Sequence, residues 1–247
     1  PGTIEAIDKR LREECGAWPL DIVLQPIAHR RKKLFVADMD STMIGQECID
    51  ELAEIGGLRS EIAVITERAM RGEIAFEPAL RERIELLRGL PAESIAEVLA
   101  KRITLMPGAT TLVRTLRAHG VYTALISGGF TQFTKEIAAK IGFDMHIGNV
   151  LGIKDGRLTG LIEEPVLGTS AKLDALEGLA AKRGVKLAET LAVGDGANDL
   201  AMLARAGLGV AFHAKPAVAA VAHARIDHCD LTAILYAQGY RAEEFRE

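Results

Sequence analysis

From Met106 onward the chain alternates two hydrophobic periods, and few architectures accept that alternation. "MPGATTLVRTLRAHG" (106–120) carries apolar residues at helical spacing and stops at Gly120, and "VYTALIS" (121–127) is a near-continuous apolar run that enters a turn at Gly128. "TQFTKEIAAKIG" (131–142) returns to the helical period, and "VLGIKDGRLTGLI" (150–162) reads as a hairpin turning at Asp155-Gly156. A helix "SAKLDALEGLAAKRG" (170–184), a strand "TLAVGDG" (190–196), a helix "NDLAMLARAG" (198–207) and a strand "LGVAF" (208–212) follow. Strands this apolar on both faces, separated by helices, predict an α/β fold whose parallel sheet is covered on two sides.

"LFVA" (34–37) supplies one more strand ahead of this series. Between it and Met106 the period is helical throughout. "GQECIDELAEIGG" closes at Gly56 and Gly57, "EIAVITERAMRG" closes at Gly72, and "FEPALRERIELLRG" and "PAESIAEVLAKR" complete four short helices. The expected organisation is a core of residues 34–45 and 105–247, with a small helical cap, 46–104, inserted after the first core strand. Residues 1–33 form an N-terminal extension, with an amphipathic helix over 4–14 and a strand, "LDIVLQP" (20–26), halted by proline. That is too little chain to fold alone.

In a parallel α/β sheet, ligands bind beyond the carboxyl ends of the strands. Three strand ends here carry polar clusters. "FVADMDST" ends in Asp38 and Asp40; "LISGGF" in Ser127, Gly128 and Gly129; "AVGDGAND" in Asp195, Asn198 and Asp199. One acid after a strand is commonly a helix cap, but three clusters on one edge favour a site. If strand geometry persists past Ala37, Asp38 and Asp40 share one face and repel each other. Carboxylates converging without cysteine or histidine make a hard oxygen site suited to Mg2+, which offsets that repulsion. Ser127 and the glycine N–H groups offer a phosphate cradle. Lys172 falls in the first turn of its helix, behind Thr169 or Ser170 as N-cap, where the macrodipole disfavours a cation. Its placement makes sense opposite negative charge, as phosphoryl transfer requires.

Composition narrows the partners. The 247 residues carry a net charge of −4, and the only dense basic cluster is "HRRKK" (29–33), which argues against nucleic acid. No apolar run approaches the roughly 20 residues of a membrane span, so no membrane partner is expected. Cys15, Cys48 and Cys229 match no zinc spacing and read as reduced thiols of a cytoplasmic protein. The partner expected is a small-molecule substrate; the sequence leaves oligomeric state open.

"DMDST", "SGG", the lone Lys172 and "GDGANDLAM" resemble the four successive motifs of the haloacid-dehalogenase-type phosphatases, and the resemblance runs from about Lys33 to the C-terminus. Within them, "DMDST…QE", "ERAMRGEIAFEPALRERIELLRG" and "SGGF" resemble the phosphoserine phosphatases. The resemblance implies a Rossmann-like core with a small cap, and Mg-dependent hydrolysis of phosphoserine, the last step of serine biosynthesis. It implies Asp38 as nucleophile and Asp40 as general acid, then base. Mg2+ would be held by Asp38, the Asp40 backbone carbonyl and Asp195, supported by Asn198 and Asp199. Ser127, Gly128 and Lys172 would meet the phosphoryl oxygens, with Asn198 beside them. Glu47 and Arg83 match the positions for the substrate ammonium and carboxylate, with Met70 and Phe76 closing over the ligand. On residue type alone these four read as helix-face and core residues. The extension resembles the end of a regulatory ACT-type domain.

Two other readings stand beside this one. A receiver-type signalling domain also uses an acid cluster, a lysine and an aspartyl-phosphate, but it lacks a helical insert after its first strand. A phosphotransferase, or a phosphatase for another small phosphomonoester, would keep the fold and change the acceptor or the ester.

Overall fold

A computed structural model describes residues 4–15, 18–71 and 73–247. Seven strands form one sheet: β1 (Leu34–Ala37), β2 (Tyr122–Phe130), β3 (Met145–Lys154), β4 (Arg157–Glu163), β5 (Thr190–Gly194), β6 (Leu208–Phe212) and β7 (Ala224–Ile226), in the order β4-β3-β2-β1-β5-β6-β7. All neighbours pair in parallel except β3 and β4, whose tight turn at Asp155 and Gly156 uses positive φ angles of 51° and 73°.

The helices are α1 (Ile4–Cys15), α2 (Cys48–Gly56), α3 (Arg59–Met70), α4 (Phe76–Leu86), α5 (Glu93–Lys101), α6 (Ala109–Ala118), α7 (Thr131–Ile141), α8 (Ala171–Arg183), α9 (Leu200–Arg205), α10 (Pro216–Ala219) and α11 (Ala233–Ala237). Alternate residues of the central strands feed two cores. Phe35, Ala37, Leu125 and Val193 pack with Leu112 and Leu116 of α6 and Ile137 of α7. Leu34, Val36, Ala124 and Ala192 pack on the other face with Leu176 of α8 and Met202 and Leu203 of α9. Burial on both faces is why these strands read as unbroken apolar runs. It makes β1, paired on both sides, the centre of the molecule.

Register then sets the site. Ala37 lies level with Leu125 of β2 and Val193 of β5, so the chain after β1, β2 and β5 emerges along one edge. Helices α2 to α5 occupy the connection between β1 and α6. Their two links to the core are laced together: Gly45 N–H donates to Thr104 O at 3.0 Å and Met106 N–H to Met43 O at 2.9 Å. The Gln46 side chain bonds Thr104 twice, through Nε2 to Oγ1 at 2.8 Å and through Oε1 from the backbone N–H at 2.9 Å.

Three segments differ from the sequence expectation. Residues 20–26 form no strand and join no sheet. They lie instead against the C-terminal region, where the Asp21 carboxylate accepts the N–H of Asp227 at 2.7 Å and of Cys229 at 2.8 Å, and Gln25 Nε2 donates to Ala237 O at 2.7 Å. Strand β3 starts at Met145, five residues before the predicted hairpin, and its first half runs parallel to β2 (Leu125↔His146, Ile126↔Ile147). The short β7 and α11 lie beyond the last predicted strand. The basic cluster also finds its use within the fold. Arg30 donates to Ala237 O and Tyr236 O at the carboxyl end of α11, and Arg31 sits 4.1 Å over the Tyr240 ring. Among the described residues no helix is long and apolar enough to cross a membrane.

Candidate active site

Strand β1 stops at Ala37, though one more ladder bond follows, from Asp38 N–H to Val193 O at 3.0 Å. The chain then curls back. Met43 and Ile44 N–H both donate to Met39 O, and Ser41 takes a left-handed φ of 54°. The curl separates the partners of the two acids. Asp38 turns toward α8, whereas Asp40 Oδ1 accepts the Cys48 N–H at 3.1 Å and Oδ2 accepts from Ser127 Oγ at 3.4 Å. The expectation of two carboxylates side by side on a continuing strand is therefore corrected, since the strand ends one residue before the first of them.

Lys172, the second residue of α8, is buried and bridges two acids: its Nζ lies 2.7 Å from Asp38 Oδ1 and 2.6 Å from Asp199 Oδ1. Ser170 occupies the N-cap position but makes no side-chain cap bond. Burial works against the Lys172 ammonium, yet Asp38 and Asp199 outweigh it and hold its pKa above the usual lysine range. Asp199 Oδ2 also accepts the Gly196 N–H at 3.0 Å. For Asp38, burial and the Asp199 charge push the carboxyl well up, against the pull of Lys172. Burial likewise raises Asp195, whose Oδ1 accepts from Thr42 Oγ1 at 2.9 Å.

One carboxylate oxygen from each of Asp38, Asp195 and Asp199 lies within 4.8 Å of the others. The set is all hard oxygen donors, and Lys172 is the cation that binds it directly. A phosphate dianion brought to this edge would add still more negative charge. The donor chemistry and the charge imbalance both fit a hard divalent cation.

Ser127, Gly128, Lys172 and Asn198 line one small cavity with Phe76 above them. Ser127 Oγ accepts the Gly129 N–H at 2.8 Å. The strand does not turn at Gly128 as the sequence suggested but runs on to Phe130. A Cβ on Gly128 would stand 3.3 Å from the Phe76 Cζ, so the ring of this α4 residue covers the end of β2. Arg83, seven residues further along α4, is half-buried; its Nε donates to Ala79 O at 3.3 Å, and Asp50 and Glu47 offset part of its burial. Glu47 is the N-cap residue of α2 and accepts from Ser41 Oγ at 2.7 Å. It is open to solvent on one side, yet desolvation by the surrounding cleft and the charges of Asp40 and Asp195 raise its pKa to about 7. Met70 is the last residue of α3, and its side chain lies outside the described residues. A larger cleft between the insert and β4, lined by Ile65, Ile84 and Leu161, holds charges already paired: Arg81 with Glu77 and Glu164, Glu85 with Arg88.

Sequence reasoning missed Thr42, which orients Asp195, although it stands inside the "DMDST" stretch. It also missed Asn149 of β3, which is buried, donates to Gly128 O at 2.8 Å and accepts the Leu167 N–H at 2.8 Å. Nothing in the sequence around Asn149 signals that role, because the residues it joins are distant in the chain. His213, the residue after β6, takes a positive φ of 45°; its N–H donates to Ile226 O at 2.8 Å, and its Nε2 lies 3.2 Å from Cys229 O. It ties the end of β6 to the segment after β7.

A family model for haloacid dehalogenase-like hydrolases matches residues 35–204. A phosphoserine phosphatase of Archaeoglobus fulgidus is 46% identical over 230 residues, covering 92% of this chain and 67% of the relative. One of Streptomyces coelicolor is 43% identical, covering 97% of this chain and 59% of the relative. The chain thus spans about three-fifths to two-thirds of the length of these curated relatives. A solved phosphoserine phosphatase with a phospho-aspartyl intermediate analogue superposes with a TM-score of 0.77 at 43% identity, covering 83% of this chain and 98% of the other. The family match takes in β1 to α9, the span that carries every acid and the lysine of the cluster, and the chain belongs to the haloacid dehalogenase-like hydrolases.

Proposed function

We propose that this chain hydrolyses phosphoserine to serine and phosphate through a phosphorylated Asp38. The observation that carries the reading is the buried Asp38 at the end of the central strand, ion-paired to Lys172 at 2.7 Å and flanked by Asp195 and Asp199. The Asp38 carboxylate attacks phosphorus, the P–O(Asp38) bond forms and the ester P–O bond breaks. Asp40 gives a proton to the departing serine oxygen and then takes one from the water that cleaves the acyl phosphate. Lys172, Ser127 and the Gly128 N–H bind the phosphoryl oxygens, with Asn198 on the same wall. Asp38, the Asp40 backbone carbonyl and Asp195 would hold Mg2+, with Asp199 supporting them. When bound, the ion supplies neutralisation of the charge gathered on the phosphoryl oxygens.

Residues 46–104 act in this reading as a cap that selects the ester. Glu47 receives the ammonium and Arg83 the carboxylate, under Phe76 and Met70. The relatives' shared name and the placement of Glu47 beside Asp40 support this choice of substrate.

Phosphate release with Mg2+ across a panel of phosphomonoesters tests the proposal: phosphoserine should stand well above the rest, and a flat profile contradicts it. Arg83→Ala should lower kcat/KM for phosphoserine by about 10- to 100-fold, the scale of one charge-assisted hydrogen bond. p-Nitrophenyl phosphate, which lacks the carboxylate, should change little. Equal losses on both would make Arg83 a structural residue.

A further inference from the structure

Helix α2 lacks a side-chain cap. Glu47 occupies its N-cap position, and its carboxylate bonds Ser41 instead. The first N–H of the helix, that of Cys48, goes across to the Asp40 Oδ1 at 3.1 Å, and the Cys48 thiol hydrogen-bonds the same carboxyl group. Asp40 is thereby held between two elements, the first turn of the helical insert at one oxygen and Ser127 of β2 at the other. A Cβ on Gly129 would stand 2.9 Å from Oδ2, so the wall of β2 leaves the carboxylate little room to swing. The segment that presents the Cys48 N–H is itself fixed. Gln46 is clamped to Thr104 by two side-chain bonds, and its carbonyl accepts the Ser41 N–H at 3.3 Å. A helix N-terminus also favours an acceptor carrying negative charge.

We infer that the Cys48 backbone N–H is a positioning group for Asp40, so that the insert orients the proton donor as well as covering the substrate. This rests on the reading of Asp40 as the acid that protonates the leaving oxygen. In that step the Asp40 carboxyl proton moves to the ester oxygen as the P–O bond breaks, and a carboxyl turned away delivers it late. The loss must then grow with the basicity of the leaving group. A p-nitrophenolate leaves without a proton, whereas a phenolate gains from one.

Cys48 is the first residue of α2, where proline is well tolerated, and Glu47 already has the extended φ and ψ of −95° and 113° that suit a residue before proline. Cys48→Pro replaces this N–H with a ring carbon that pushes the Asp40 carboxyl off its place, and it also removes the thiol that bonds Asp40. Cys48→Ala, which keeps the N–H and loses only the thiol, is the reference for the changed side chain. The measurement is kcat/KM over a series of substituted phenyl phosphates, none of which carries an ammonium for Glu47. Relative to Cys48→Ala, Cys48→Pro should lose about 10-fold more on phenyl phosphate than on p-nitrophenyl phosphate, giving a steeper dependence on leaving-group basicity. Asp40→Asn separates the two ideas. If it leaves the dependence unchanged, the role given to Asp40 fails. If it steepens the dependence while Cys48→Pro matches Cys48→Ala, the inference about Cys48 fails. Should Cys48→Pro not fold, Gln46→Ala, which frees the segment before that N–H, should steepen the dependence in the same direction; an unchanged slope there also overturns the inference.

Discussion

Lys172 is the residue on which the site balances. It is buried with two carboxylates, and removing it leaves Asp38 and Asp199 facing each other without a cation. Lys172→Ala should cost about 3–5 kcal/mol of stability, the scale of breaking one partner out of a buried ion pair, and should abolish phosphate release. Thermal unfolding and a phosphate assay on the same preparation read both effects. Lys172→Arg should not rescue activity, because a planar guanidinium does not fit where a compact ammonium meets two oxygens at 2.7 and 2.6 Å. Lys172 and the acids were legible in the sequence, since each sits at a strand end or helix start where its type is out of place. Thr42 and Cys48 were not, because each works on an acid that the chain's curl brings to it, Thr42 on Asp195 and Cys48, through its N–H and thiol, on Asp40, which residue type does not report.

Elements show the same division. The strands of the sheet centre were legible because burial on both faces leaves an unbroken apolar run. The first half of β3, "MHIGN", is only half-buried over most of its length and carries histidine, glycine and asparagine, so it has no such run. Residues 20–26 have the composition of a strand but take their partners from side chains of Asp21 and Gln25 rather than from a ladder. The end of β2 carries a direct prediction. A Cβ at Gly129 would approach Asp40 Oδ2 at 2.9 Å and Ser127 Oγ at 3.0 Å. Gly129→Ala should therefore lower kcat strongly, by about 10-fold or more given that misplaced acid–base groups lose much of their contribution, while shifting Tm by only a few degrees. A large Tm drop with kcat retained would place Gly129 in folding rather than in the site.

Across the whole molecule the site is a concentration of raised carboxyl pKa values with too little positive charge. Asp38, Asp40 and Asp195 are pushed up from 3.8, and Glu47 from 4.5 to about 7. Groups whose folded pKa exceeds the unfolded one favour folding when protonated, and that contribution is lost as pH rises through the folded values. The acids shifted the other way, such as Glu85, Glu164 and Glu244, act below the usual carboxylate range and are paired on the surface. Metal-free protein should therefore lose Tm as pH rises from the ordinary carboxylate range through about 7, where Glu47 titrates, and added Mg2+ should restore more of it as pH rises, because ligand carboxylates must be ionised to bind. A Mg2+ effect on Tm that does not change with pH contradicts the placement of the ion among these acids. The central claim is that Asp38 itself takes the phosphoryl group. Acid quenching during turnover of labelled phosphoserine, followed by peptide mapping, should find the label on the peptide containing Asp38 and find none in Asp38→Asn. Label on any other residue, or label retained in Asp38→Asn, would contradict it.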